Sequence, residues 1–83
     1  MSRSKDVHPL ASLAPGTRGT IVRVTRDLTS RAERLAAMGV SPGAAVTVLQ
    51  TFPGIVFECD QTELAVERLV AGSILVEVDS DGS

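Results

Sequence analysis

His8 and Cys59 are the first residues to weigh in this 83-residue chain, because imidazole and thiolate supply most base, nucleophile and metal-ligand chemistry. The chain has one of each, far apart in sequence. A structural metal site asks for about four ligands, so this pair makes none by spacing. Cys59 falls on the apolar side of a run with Ile55 and Phe57 and reads as core. His8 precedes Pro9 at the edge of a polar tail and reads as surface rather than as a ligand. Asp60 and Glu63, and likewise Glu67 and Glu77, are carboxylates without a paired partner of clear role, and read as solvated surface. The glycine-bearing stretches Gly16-Thr17-Arg18-Gly19 and Gly39-Val40-Ser41-Pro42-Gly43 match neither a P-loop nor a dinucleotide-binding turn. The sequence therefore argues against an enzyme, and no cofactor or metal site is expected.

Bulk properties narrow the classes further. The net charge is −2, whereas a protein living on nucleic-acid phosphates is normally basic. A single cysteine excludes an intramolecular disulfide. The start, Met1 to Leu10, is charged and lacks the apolar region of a signal peptide, and no apolar run approaches the roughly 18 residues that cross a bilayer. The expected location is the cytoplasm. Phe52 and Phe57 are the only aromatics, so the core must be built mainly of Val, Leu, Ile and Ala. So short a chain buries little more than half of its unfolded surface, and that core will be thin.

The elements that would position any functional group follow from patterning. Residues 1–7 and 79–83 read as polar tails around one domain over 8–78. Pro15-Gly16 is turn chemistry, and Thr20 to Thr25 alternates as a strand expected to place Val22 and Val24 on one face. Ser30 and Glu33 fit a capping box that opens a short helix. Ala32, Leu35 and Met38 form its narrow apolar stripe, expected to lie as a lid over one end of the fold, with Arg31 and Arg34 on the other side. Gly39 fits the left-handed position that closes the helix, which pairs Leu35 with Val40 across the cap. Pro42-Gly43 turns the chain into a strand over Ala45 to Gln50, with Val46 and Val48 sharing a face. Ile55, Phe57 and Cys59 alternate next. Over 62–72, Leu64 and Val66 suit a strand while Ala65, Leu69 and Val70 suit a helix, so periodicity leaves both open. Ile74, Val76 and Val78 make a last strand. Short strands, tight turns and one short helix imply a small, strongly curved antiparallel barrel or sandwich.

Three segments in order, Pro9 to Val24, Arg34 to Leu49 and Thr62 to Val78, resemble the FeoA-like family of small accessory proteins of bacterial ferrous-iron transport. The most specific part is Leu35-x-x-Met38-Gly39-Val40-x-Pro42-Gly43, preceded by Arg34. The resemblance implies a mostly β fold, a five-stranded SH3-like barrel with a short helix inserted after the first strand. It also implies a strand at Thr62 to Val66 followed by a helical turn. The implied role is non-catalytic: contact with a large membrane ferrous-iron permease that carries a cytoplasmic GTP-binding domain, bringing the protein to the inner face of the membrane. Arg31, Arg34 and Met38, with the turn Gly39, Val40, Pro42 and Gly43, are the expected contact residues. The bland alternative for the two arginines is the wet face of a helix. Two residues depart from the family pattern: Gln61, where glycine is common, and Glu67, where a basic residue is common.

Rival readings come from other classes. The same barrel type forms the C-terminal domain of metal-dependent repressors resembling the diphtheria-toxin repressor, which would make this chain a detached regulatory module. Direct handling of ferrous iron is disfavoured by sparse, unclustered ligands. An exposed Met38 or an open strand edge would permit homo-oligomers.

Overall fold

Six short strands run through the residues described in the computed structural model, 6–25 and 31–79. They are β1 (Val7–Pro9), β2 (Arg18–Val24), β3 (Ala45–Gln50), β4 (Ile55–Cys59), β5 (Thr62–Val66) and β6 (Ile74–Val78). A 3-10 turn, Leu10–Ser12, follows β1; helix α1 (Arg31–Ala37) lies between β2 and β3, and α2 (Arg68–Ala71) between β5 and β6. The strands form one antiparallel sheet in the order β1-β6-β2-β3-β4-β5.

The fold is mostly β, as the patterning implied, with one strand more than the expected five. The addition is β1, whose three residues pair from Val7 with Glu77 to Pro9 with Leu75. So short a run, containing a proline, carries no alternation to detect; β6 organises it by offering an edge. The helix consequently follows the second strand rather than the first.

Alternation delivers the core where it is unbroken. Ile55, Phe57 and Cys59 are buried on β4, Val46 and Val48 on β3, and Ile74 and Val76 on β6. Leu10, Val40 and Ala71 close the interior from the connecting segments. Residues 62–66 pair with β4 throughout, so the strand reading holds over the helical one.

β2 departs from its expected phase. Ile21 is fully buried and Val22 is exposed. Against β6 the register steps from Ile21↔Val76 to Arg23↔Leu75, which makes Val22 the extra residue of a bulge. The bulge resets the phase, so Val24 still packs on the core. β3 does the same at Leu49, between Val48↔Phe57 and Gln50↔Val56.

The two proline–glycine turns grip each other's strands. The Gly16 amide donates to the Val48 carbonyl (2.7 Å) and the Val48 amide to the Thr17 carbonyl (2.9 Å). In mirror fashion, the Gly43 amide donates to the Ile21 carbonyl (2.7 Å) and the Ile21 amide to the Ala44 carbonyl (2.9 Å). Between these clasps, Gly19 lies opposite Val46 on one side and Val78 on the other.

The β4–β5 hairpin turns on Asp60 and Gln61, both at positive φ (51° and 71°). Such two-residue turns favour glycine at the second position, because a side chain in left-handed backbone is strained by roughly 1–2 kcal/mol. Gln61→Gly is expected to stabilise the protein by about 1 kcal/mol, the relief exceeding the added freedom of the unfolded chain. A thermal melt should show the midpoint rise by roughly 4–8 °C.

Candidate interaction surface

The glycine after α1 shapes the most specific stretch of the chain. The Val40 amide donates to the Leu35 carbonyl (2.9 Å) and the Gly39 amide to the Ala36 carbonyl (3.0 Å), with Gly39 at φ +94°. These are the two bonds of a Schellman cap, and its apolar pair Leu35 and Val40 is buried. The chain turns again at once: the Ala44 amide donates to the Ser41 carbonyl (3.1 Å) across Pro42 and Gly43, the latter at φ +96°. Proline then glycine is the sequence a type II turn asks for. Cap and turn together anchor the C-terminal end of α1 to β2. The expected Ser30 cap lies outside the described residues, as do the side chains of Arg31 and Ala32.

A third tie reaches the cap from the core. The Cys59 thiol donates to the Gly39 carbonyl, with Sγ 3.4 Å from the oxygen. Burial, and secondarily the Asp60 carboxylate, push this thiol above its ordinary 9.0. A thiol with a raised folded pKa keeps its proton after the unfolded chain has lost its own. Its contribution is therefore whole below pH 9.0 and is lost as pH rises from there through the folded value. Urea midpoints should be flat near neutrality and fall above pH 9.0, with the fall diminished in Cys59→Ala.

Beside this anchored end lies a shallow open depression of about 290 Å³, lined by Arg34, Leu35, Met38, Val66, Glu67 and Val70. Its floor is apolar and its rim carries one basic and one acidic side chain. Of the expected contact residues, Arg34 and Met38 meet here. Pro42 and Gly43 are exposed in the neighbouring turn. Val40 is fully buried, so its side chain presents no surface and serves the cap instead. Met38 also leaves the lid expected of the Ala32, Leu35 and Met38 stripe. It follows the last helical residue, Ala37, and stands 45% exposed, while Leu35 is buried. Val66 and Val70 were legible as apolar, but that they face α1 depends on β5 and α2 folding back beside it. Glu67, which reads from the sequence as solvated surface and as a departure from the family pattern, shares the rim with Arg34.

Elsewhere, His8 is exposed on β1. Among the described residues no three His, Cys, Asp or Glu side chains group as metal ligands. No helix among them is long and apolar enough to cross a membrane.

Known proteins share this fold. A family model for the FeoA domain matches residues 8–78. The crystal structure of an iron uptake regulatory protein (FeoA) is 27% identical, covering 89% of this chain and 99% of its own, with a TM-score of 0.81. The zinc-complexed FeoA of Stenotrophomonas maltophilia, described as an SH3 domain protein, is 21% identical over 82% of this chain and 87% of its own (TM-score 0.73). A manganese-dependent transcriptional repressor is 20% identical over 93% of this chain (TM-score 0.83), which spans only 44% of the repressor. These last two likenesses are of fold, and the fold is SH3-like. A search of curated protein sequences returns no match.

Proposed function

The chain belongs to the FeoA domain family, and from that premise we propose that it is a non-catalytic accessory protein of ferrous-iron transport that docks on the cytoplasmic GTP-binding part of a membrane ferrous-iron permease. The observation that carries the docking surface is the depression in which Arg34 and Met38 meet Val66, Glu67 and Val70. An apolar floor beside exposed charge is the usual anatomy of a protein contact, in which the apolar centre supplies affinity and the charges set orientation. We include in the contact the exposed turn at Pro42 and Gly43, which follows Met38 in the chain and is tied to it through the cap at Gly39. Docking recruits the protein to the inner face of the membrane. The repressor shares the fold at 20% identity, which carries a common architecture and not a common partner.

Arg34→Glu combined with Met38→Glu tests the surface, since both side chains are exposed and leave the core intact. Co-purification with the permease should weaken by at least about tenfold, the loss of 1.4 kcal/mol or more expected when a contact centre is charged. The melt of the isolated variant should stay within a few degrees of the parent. Undiminished co-purification would remove this face from the contact.

A further inference from the structure

We infer that the β5 edge of the sheet is a docking strand for a basic, extended segment of another protein. Among the described residues β5 ends the sheet and has β4 as its one strand neighbour. Its register with β4 sets which backbone groups are spoken for. The two-residue turn at Asp60 and Gln61 makes Cys59 and Thr62 a hydrogen-bonded pair, and bonded pairs alternate from there. Phe57↔Leu64 and Ile55↔Val66 are therefore bonded, while Glu58↔Glu63 and Val56↔Ala65 are not. The Asp60 amide bond to the Ala45 carbonyl (3.3 Å) on the other side of β4 agrees with this parity. The amides and carbonyls of Glu63 and Ala65 thus point away from β4, off the edge of the sheet.

The opposite edge is closed to the same use. Applying the same alternation to β1, where the Val78 amide donates to the Asp6 carbonyl (2.8 Å), turns the Val7 and Pro9 backbones outward. Pro9 has no amide hydrogen to offer, a common way of blunting an edge. β5 contains no proline.

Charge chooses the occupant. Glu58 and Glu63 face each other directly across β4 and β5, both exposed, with exposed Asp60 in the adjoining turn. Like charges so placed repel, and a cation on an added strand beside Glu63 relieves that repulsion. The same charges oppose pairing with a second copy, which would bring two such glutamates together. On the inner side, Leu64 and Val66 are half-buried at the edge and suit apolar side chains. The partner segment therefore alternates basic and apolar residues, its main chain supplying affinity and its side chains the selection. This surface meets the α1 depression at Val66 but is made of main-chain edge and carboxylates, and its argument does not rest on the permease proposal.

The test uses the whole protein and the synthetic peptide acetyl-Lys-Val-Lys-Val-Lys-Val-amide, with its glutamate counterpart as control. Binding should slow amide exchange at Glu63 and Ala65 by about tenfold or more and should weaken with salt. Ala65→Pro removes an outward amide without breaking a bond to β4, and should abolish binding while the fold remains. Glu63→Lys should reverse the preference between the two peptides. The inference is overturned if neither peptide binds, if both bind equally, if protection appears elsewhere, or if those two amides are already protected by self-association of the protein alone.

Discussion

Gly19→Ala should destabilise the protein more than any other single methyl added to the sheet. A Cβ at this position would sit on the Glu77 carbonyl oxygen, 3.1 Å from its carbon and 2.7 Å from Val76 Cγ1. The first two contacts with Glu77 are to backbone, which can yield only if β2 and β6 part. Those strands share a ladder from Gly19↔Val78 to Val24↔Ile74, so opening it weakens the middle of the sheet. Inserting one methyl into well-packed protein costs about 1–3 kcal/mol when side chains can move, and more when main chain must. A domain of this size has roughly 4–12 kcal/mol in total. Urea unfolding followed by circular dichroism should show a loss of at least about 3 kcal/mol, or no cooperative transition at all. Adding Val76→Ala removes the Cγ1 contact and leaves the carbonyl, so the double variant should stay unstable. A loss below about 1 kcal/mol in Gly19→Ala would show that the strands separate freely at this point.

The second large effect concerns the two phenylalanines, which composition alone cannot tell apart. Phe57 is fully buried, with Val48 and Leu64 opposite it on the flanking strands. Phe52 is 80% exposed in the turn between β3 and β4. Phe57→Ala removes the only aromatic ring from the core and should cost about 3–5 kcal/mol, the lost burial of the ring plus the cavity it leaves among side chains that are themselves fully buried. Phe52→Ala should change stability by no more than about 0.5 kcal/mol. The pair of urea midpoints checks both statements. Similar losses in the two variants would mean that Phe52 packs in solution as Phe57 does.

How much of this was legible depends on whether the cause is local. Ile55, Phe57 and Cys59 could be assigned to the core because β4 keeps a period of two from end to end. The cap at Gly39 and the turn at Pro42-Gly43 were legible for the same reason: each is decided within about six residues by backbone that favours glycine. Val22 was misplaced because a bulge belongs to a pair of strands, and its extra residue is extra only against β6. β1 left no signal because three residues ending in proline form a strand only beside an existing edge. Of the interaction surface, Arg34 and Met38 could be named from the motif. Val66, Glu67 and Val70 join them through the packing of three segments, which no window of sequence contains.

The reciprocal grip of the two proline–glycine turns bears on how firmly the strands are indexed. A slip by one residue would turn every buried side chain of β3 outward, so one-residue errors are excluded by the core. A slip by two keeps each side chain on its proper face and is ordinarily the cheap mistake in an antiparallel pair. Here such a slip would carry Gly16 away from Val48 and Gly43 away from Ile21 together, breaking both clasps at opposite ends of the pairing. Each turn can close only when the other strand is already in place. The Pro-Gly steps therefore act as stops at both ends, and β2 and β3 have one alignment that satisfies them.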